Sequence, residues 1–284
     1  MPDILYQYTS LNTLKSIIEE SIEDSIELRA TDIEYLNDQS EYKIALKILI
    51  QLLCDFEERL DEDNKKGILK YKNFELMDHL KEKDFNIKSF ITSFTEEKDS
   101  LPMWNTYGNN SLGVAIGFDK SILKDSLNSS SKLEECIYNK SLVTEKLKDD
   151  IAQIYNCLRF NDGSFGWTTG IGAPIFNAFR DLVPVTKDDS YHYEKEWRVI
   201  LKQDYECHKL KFQISNDILK PYLTFNIPKK AIKKIVIGPC SNFDLISKPL
   251  FMLLKKANIE AIICEDIVEN KVNIIKSICP YRNI

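Results

Sequence analysis

Apolar and polar positions repeat along this chain with two periods, and these sort it into strands and helices. DILYQY (3–8) reads as a short strand. Thr9 or Ser10 then caps a helix that lines up Leu11, Leu14, Ile17 and Ile18 on one face. SIELRA alternates Ile26 and Leu28 with Glu27 and Arg29, the mark of a second strand. A polar loop, TDIEYLNDQSEY, leads into a long helix ending near Leu60. DEDNKK (61–66) is a solvated turn, and a further helix covers 67–82. IKSFITSF (87–94) is a strand. SLPMWNTYG follows as a short helix, with Ser100 as cap and Pro102 in the first turn. GVAIGFD (113–119) is a strand, then comes a short helix. SLNSSSKL reads as a surface loop, ECIYN as a strand and 141–160 as a helix. EKEWRVIL (194–201), KLKFQIS, YLTFNIP and KKIVIG are strands. A helix over 244–257 and the strands EAIICE and NIIKSICPYR complete the pattern.

Strand-rich halves with intervening helices predict an α+β fold. The expectation is a single domain over 1–284, with a mixed, mostly antiparallel sheet core and flanking helices. Composition agrees with a globular chain: of 284 residues, 43% are apolar and 29% charged. No apolar run approaches the roughly 20 residues of a membrane span, and MPDILYQYTS lacks a basic start, so no signal peptide is expected. The seven cysteines are odd in number and none is in CxxC spacing, which points to a reducing cytoplasm without disulfides. Three histidines with no HxxxH or HExxH argue against zinc. GxxxxGK[ST] and GxGxxG are both missing. A net charge of −6 argues against broad nucleic-acid binding, which phosphate contacts dominate.

Several polar groups carry candidate chemistry, each beside an ordinary structural reading. In EKEWRVIL, alternation puts Lys195, Trp197, Val199 and Leu201 on one face and Glu194, Glu196 and Arg198 on the other. The apolar face should seek the core, leaving Glu196 facing a cavity or solvent. Gln7 and Thr9 share a face of the first strand and could hold a ribose or phosphate, or be an exposed Gln and a helix cap. Arg29 ends the second strand. Asn37, Asp38 and Glu41 have capping-box spacing. Trp104 and Tyr107 are three apart on one helix, so they are either core or a platform for a planar ring. His192 is a candidate acid or base. The Gly-rich stretch Ser164–Pro174 reads as a mobile loop bordering a cleft.

The segments LYQYTSLNTLKSI, LRATDIEYLNDQSEY, FITSF, LPMWNTYG, GVAIGFD, EKEWRVI, KKIVIGPCSN and CPYRN, in this order, resemble the uncharacterised bacterial domain of unknown function 2971 family. A more distant resemblance is to the ADP-ribosyltransferases, in their DarT-like branch. There a first strand carries a His-x-Thr-like signature and a late strand carries the catalytic Glu. YQYTSL stands at the first motif, with Gln7 in the His position, Tyr8 beside it and Thr9 in the Thr position. Glu196 takes the place of the late Glu. The resemblance implies cleavage of the nicotinamide–ribose bond of NAD, the co-substrate, and transfer of ADP-ribose to a protein or nucleic-acid acceptor. Glu196 would stabilise the developing ribosyl charge. Arg29 or Arg198 would hold the pyrophosphate. Tyr35, Trp104 and Tyr107 are stand-ins for the aromatic motif. A role as a toxin or phage-defence effector, with a regulatory partner protein, is the expectation by analogy. The other readings are a non-catalytic nucleotide- or partner-binding module, and a metal-dependent hydrolase of nucleotides or nucleic acid acting through Glu194, Glu196 and Asp38.

Overall fold

The computed structural model describes residues 3–35, 44, 51, 87–139, 141–145, 181–204, 208–215, 217–264, 268 and 270–280. The strands are β1 (Ile4–Thr9), β2 (Ser25–Asp32), β3 (Ile87–Thr95), β4 (Val114–Asp119), β5 (Ser131–Glu135), β6 (Glu196–Asp204), β7 (Lys211–Ser215), β8 (Ile218–Pro228), β9 (Ile232–Ile237), β10 (Ala261–Ile263) and β11 (Val272–Lys276). Among the described residues, the helices seen whole are α1 (Leu11–Glu19), α2 (Leu101–Thr106), α3 (Lys120–Asp125) and α4 (Phe243–Lys256). This is the α+β class that the alternation predicts.

The strands join one open, mixed sheet in the order β10-β11-β9-β4-β1-β3-β2-β8-β7, with β6 added on β3 and β5 on β6. The pairs β1–β3, β1–β4, β2–β3, β2–β8, β4–β9, β5–β6 and β7–β8 are antiparallel, and at one end β10, β11 and β9 run parallel. That is where α4 makes the crossover that a parallel connection needs. Ser10 caps α1 by accepting from the Thr13 N–H, and Asn242 caps α4 by accepting from Leu245 N–H.

Contacts gather the chain into two compact units. One comprises Met1–Asp32, Ser89–Glu135 and Tyr193–Ile284; the other comprises Ile33–Lys88 and Cys136–His192. The first holds the main core. Leu5, Leu14, Ile18, Ile26, Leu28, Phe94, Ile116, Phe118, Val199, Ile235, Leu254 and Ile274 are buried together there, on the sheet face that carries α1 and α4. A smaller cluster on another face joins Tyr6, Tyr8, Met103, Trp104, Ala115, Val236 and Ile275. In the second unit, Ile137 bridges Thr186 and a 3₁₀ turn buries Val183, Pro184 and Val185. Its Lys88 and Glu34 form an ion pair at 2.6 Å.

Two segments depart from the expected pattern. SLNSSSKL is not simply a loop: Ser131–Glu135 pairs with β6, placing Leu133 opposite Val199 and Glu134 opposite Arg198. Of ECIYN, Glu135 ends β5 opposite Trp197 and Ile137 makes an isolated bridge to Thr186. Among the described residues, no helix is long and apolar enough to cross a membrane. Among the described residues, no disulfide joins Cys136, Cys240, Cys264 or Cys279.

Candidate active site at the ends of strands three and six

The polar face of EKEWR is not an outer surface. Glu194, Glu196 and Arg198 are at most 4% exposed. Arg198 meets Glu196 twice, Nε to Oε1 at 2.8 Å and Nη2 to Oε2 at 3.1 Å. Glu196 is therefore half of a buried ion pair and not an open carboxylate facing a cavity, which corrects the expected exposure of this face. On the other face Val199 is buried in the main core and Trp197 and Leu201 pack against it, as alternation requires. Trp197 is only half-buried. Its indole N–H donates to Glu96 at 2.9 Å, and the Lys120 ammonium sits 3.6 Å over its ring. The physical reason for the correction is that alternation assigns residues to faces but does not say which faces are covered. Here both are.

Between the two carboxylates, Lys195 has φ = 42°, a left-handed conformation that is costly for a residue with a Cβ. Its ammonium is tied to Glu97 at 2.5 Å, and that carboxylate raises its pKa. This break at the start of β6 belongs to a cluster built on the end of β3. Thr95 pairs with Tyr6 of β1, and its hydroxyl donates to the Glu194 carbonyl. Glu96 N–H donates to the Lys195 carbonyl at 3.3 Å. The Tyr107 hydroxyl donates to Glu194 Oε1 at 3.1 Å. Burial first, and then the Glu194 charge, hold the Tyr107 pKa far above the ordinary phenol range.

The other candidate residues lie as follows. Gln7, half-buried on β1, stands opposite Ile116, and Thr9 stands opposite Val114 at the strand end. Tyr8 is buried, and its hydroxyl donates to the Glu97 carbonyl and accepts from Ser100 N–H at 2.9 and 3.0 Å. Burial raises its pKa as well. Trp104 is fully buried, edge-on to Tyr8 with centroids 4.7 Å apart, so its ring is core and not a free stacking platform. Arg29 is exposed on β2. It lies 5.2 Å over the Tyr222 ring and donates to Gln213 at 3.3 Å. His192 is exposed, its Nδ1 against the Asp189 carbonyl at 2.8 Å. Tyr35 lies in a 3₁₀ turn. Asn37, Asp38, Glu41 and the stretch Ser164–Pro174 lie outside the described residues.

Asp99 escaped the sequence reading. One carboxylate oxygen accepts from the Trp104 indole and from Ser277, each at 2.6 Å, and the other accepts from Ile278 N–H at 2.7 Å. A lone Asp in a charged loop gives no hint of partners 178 positions away.

The segment carrying Trp104, Tyr107, Glu194, Glu196 and Arg198 is also the one that finds a counterpart among known families. Residues 103–199 match the family described as protein of unknown function DUF2971. The DUF2971 segment thus runs from α2 to the middle of β6, while Gln7, Tyr8, Thr9, Arg29 and Asp99 lie before it. No curated protein and no solved structure matches the chain.

Proposed function

We propose that this chain is an ADP-ribosyltransferase-like enzyme. In this reading it cleaves the nicotinamide–ribose bond of NAD and passes ADP-ribose to a protein or nucleic-acid acceptor, as a toxin or phage-defence effector in the cytoplasm. One observation carries the reading. The two strands that bear the resemblance, β1 and β6, meet at one residue: Thr95 pairs with Tyr6 and its hydroxyl holds the Glu194 carbonyl. Gln7 is next to Tyr6 and Glu196 is two positions after Glu194, with the Gln7 side chain on the sheet face of Leu5 and Glu196 on the opposite one.

Breaking a glycosidic bond builds positive charge on the ribose, and a fixed carboxylate stabilises it as it develops. Glu196 is the carboxylate for this role. The Arg198 guanidinium orients it and favours its ionised form, so the charge is in place before substrate arrives. With Arg198 so committed, Arg29 is the cation left for the pyrophosphate. The test is nicotinamide release from NAD by wild type and Glu196→Gln, with protein and nucleic-acid acceptors. Release that falls about 10²–10³-fold in the variant supports the assignment.

A second reading, a nucleotide- or partner-binding module of the same fold, is favoured by the closed Glu196–Arg198 pair and by Gln7 in place of His. NAD binding without nicotinamide release selects it.

A further inference from the structure

The sheet ends at β7, which pairs with β8 on one side; among the described residues, no strand pairs with its other edge. An edge strand presents a row of unpaired N–H and C=O groups, and proteins usually blunt it with proline, a bulge or charges. β7 reads KFQIS, with neither proline nor acid, and its register with β8 runs without a shift from Lys211–Tyr222 to Ser215–Ile218. Its single charge is Lys211, at the first position.

The two faces of this β7–β8 ribbon differ in how they are covered. Alternation puts Leu219, Leu223, Phe225 and Ile227 of β8 on one face. Ile227 lies in the main core and Leu223 packs with Ala30 and Phe90, but Leu219, at the far end, is 58% exposed. Directly opposed residues share a face. Phe212, opposite Pro221, and Ile214, opposite Leu219, therefore carry the same apolar row onto the edge strand, where they are 58% and 76% exposed. Large apolar side chains exposed together on adjoining strands mark an interaction surface. On the other face the polar side chains are engaged within the chain: Lys211 reaches Glu27 and Gln213 accepts from Arg29, both at 3.3 Å.

The order of the side chains points to the occupant. Let β7 pair antiparallel with β7 of a second copy, about a two-fold axis at Gln213 and perpendicular to the sheet. Phe212 then stands opposite Ile214 of the second copy, Ile214 opposite its Phe212, and Lys211 opposite its Ser215. All five residues are used. The aromatic and β-branched side chains meet, which is a favourable cross-strand pair, and no like charges are opposed. The apolar rows of the two copies lie on the same side and run on into one another. Charge gives no reason for an acidic partner strand, since Lys211 already has Glu27. We propose that this chain forms a two-fold dimer through β7–β7 pairing, joining two sheets edge to edge. Such an isologous contact closes on itself. The dimer does not depend on the transferase reading.

Sedimentation equilibrium of the full chain, at concentrations up to millimolar, tests it. Wild type should pass from monomer to dimer. Ile214→Glu and Phe212→Lys each change an exposed side chain, so at dilution both variants should keep the wild-type thermal midpoint. The axis repeats each change, and each should weaken the dimer by at least about 10-fold, because a charge is set against an apolar side chain. Mixing the two variants is the test of register. The lysine of Phe212→Lys then meets the glutamate of Ile214→Glu across the seam, while the second pair stays native, so the mixture should regain most of the lost affinity. Wild type that stays monomeric throughout overturns the proposal and leaves the face to a different chain. A dimer unchanged in both variants overturns it too, because the contact then lies elsewhere. A mixture that associates no better than either variant alone overturns the pairing about Gln213.

Discussion

Arg198 grips Glu196 from two positions along the same strand, Nε and Nη2 reaching the two carboxylate oxygens at 2.8 and 3.1 Å inside the protein. Removing one member of such a pair leaves a buried charge uncompensated, which typically costs 3–5 kcal/mol, whereas removing both is far milder. Arg198→Met should therefore lower stability by about 3–5 kcal/mol. Glu196→Gln, whose amide oxygen still accepts, should cost less, and the double variant should recover much of the loss. Denaturant titration of the four proteins closes the cycle. Additive single losses would show that the two side chains are not energetically coupled. The same Glu196→Gln protein serves the nicotinamide assay, so its fold is checked in the experiment that reads its chemistry.

The buried tyrosines set an alkaline limit. Burial raises the Tyr6 pKa to about 12 and holds Tyr8 and Tyr107 higher still. Unfolded, each ionises near 10. Above that pH the unfolded chain binds fewer protons than the native one, so stability is complete below pH 10 and is lost as pH climbs past it. The slope should reach about 1.4 kcal/mol per pH unit for each tyrosine. Denaturation curves from pH 9 to 11.5 should show it, and Tyr6→Phe should flatten it by one proton. A slope unaltered in that variant would mean Tyr6 is not responsible.

The loop after α2 is pinned by backbone contact. A Cβ on Gly113 would lie 2.2 Å from the Thr9 carbonyl oxygen and 2.8 Å from that of Gly108. Both obstacles are main chain and cannot rotate away. Gly113→Ala should cost about 3 kcal/mol or more, beyond ordinary overpacking. A thermal midpoint within a degree or two of wild type would contradict the close packing there.

Lys195 is strained by its backbone and not by its side chain, since φ is 42° and the ammonium is outside. Lys195→Gly should hold or raise the thermal midpoint, because glycine adopts this conformation freely. Lys195→Val should lower it, β-branched residues being least tolerant of positive φ. The reverse order would place the strain elsewhere.

Most strands and the two longer helices were legible because one face of each is apolar and one is not. β1, β2 and β8 follow their alternation, whereas β4 is buried at every position and reads as a strand from its short apolar run. α1 follows the cap read at Ser10. Ser131–Glu135 was misread because a strand that adds at the outside of a sheet needs little apolar content, and the preceding serines look like loop. At the site, the pattern grouped Glu194, Glu196 and Arg198 correctly but gave no depth. An ion pair within one strand lets three charged groups pass inside, and nothing local distinguishes that from a solvated edge. Tyr107 and Glu194, 87 positions apart, and Asp99 with Ser277 are pairings that only the sheet order brings together.

The Asp99 linkage also constrains how the molecule is made. The Trp104 indole reaches this carboxylate over five positions, but Ser277 and Ile278 arrive from 178 and 179 positions further along. A chain emerging from the ribosome can form α2 and its indole bond early, yet one carboxylate oxygen waits without a protein donor until the strand before Ser277 has docked. Closure of so long a loop comes late, after the entropy of the intervening chain has been spent. Until that docking, α2 rests on a half-completed anchor.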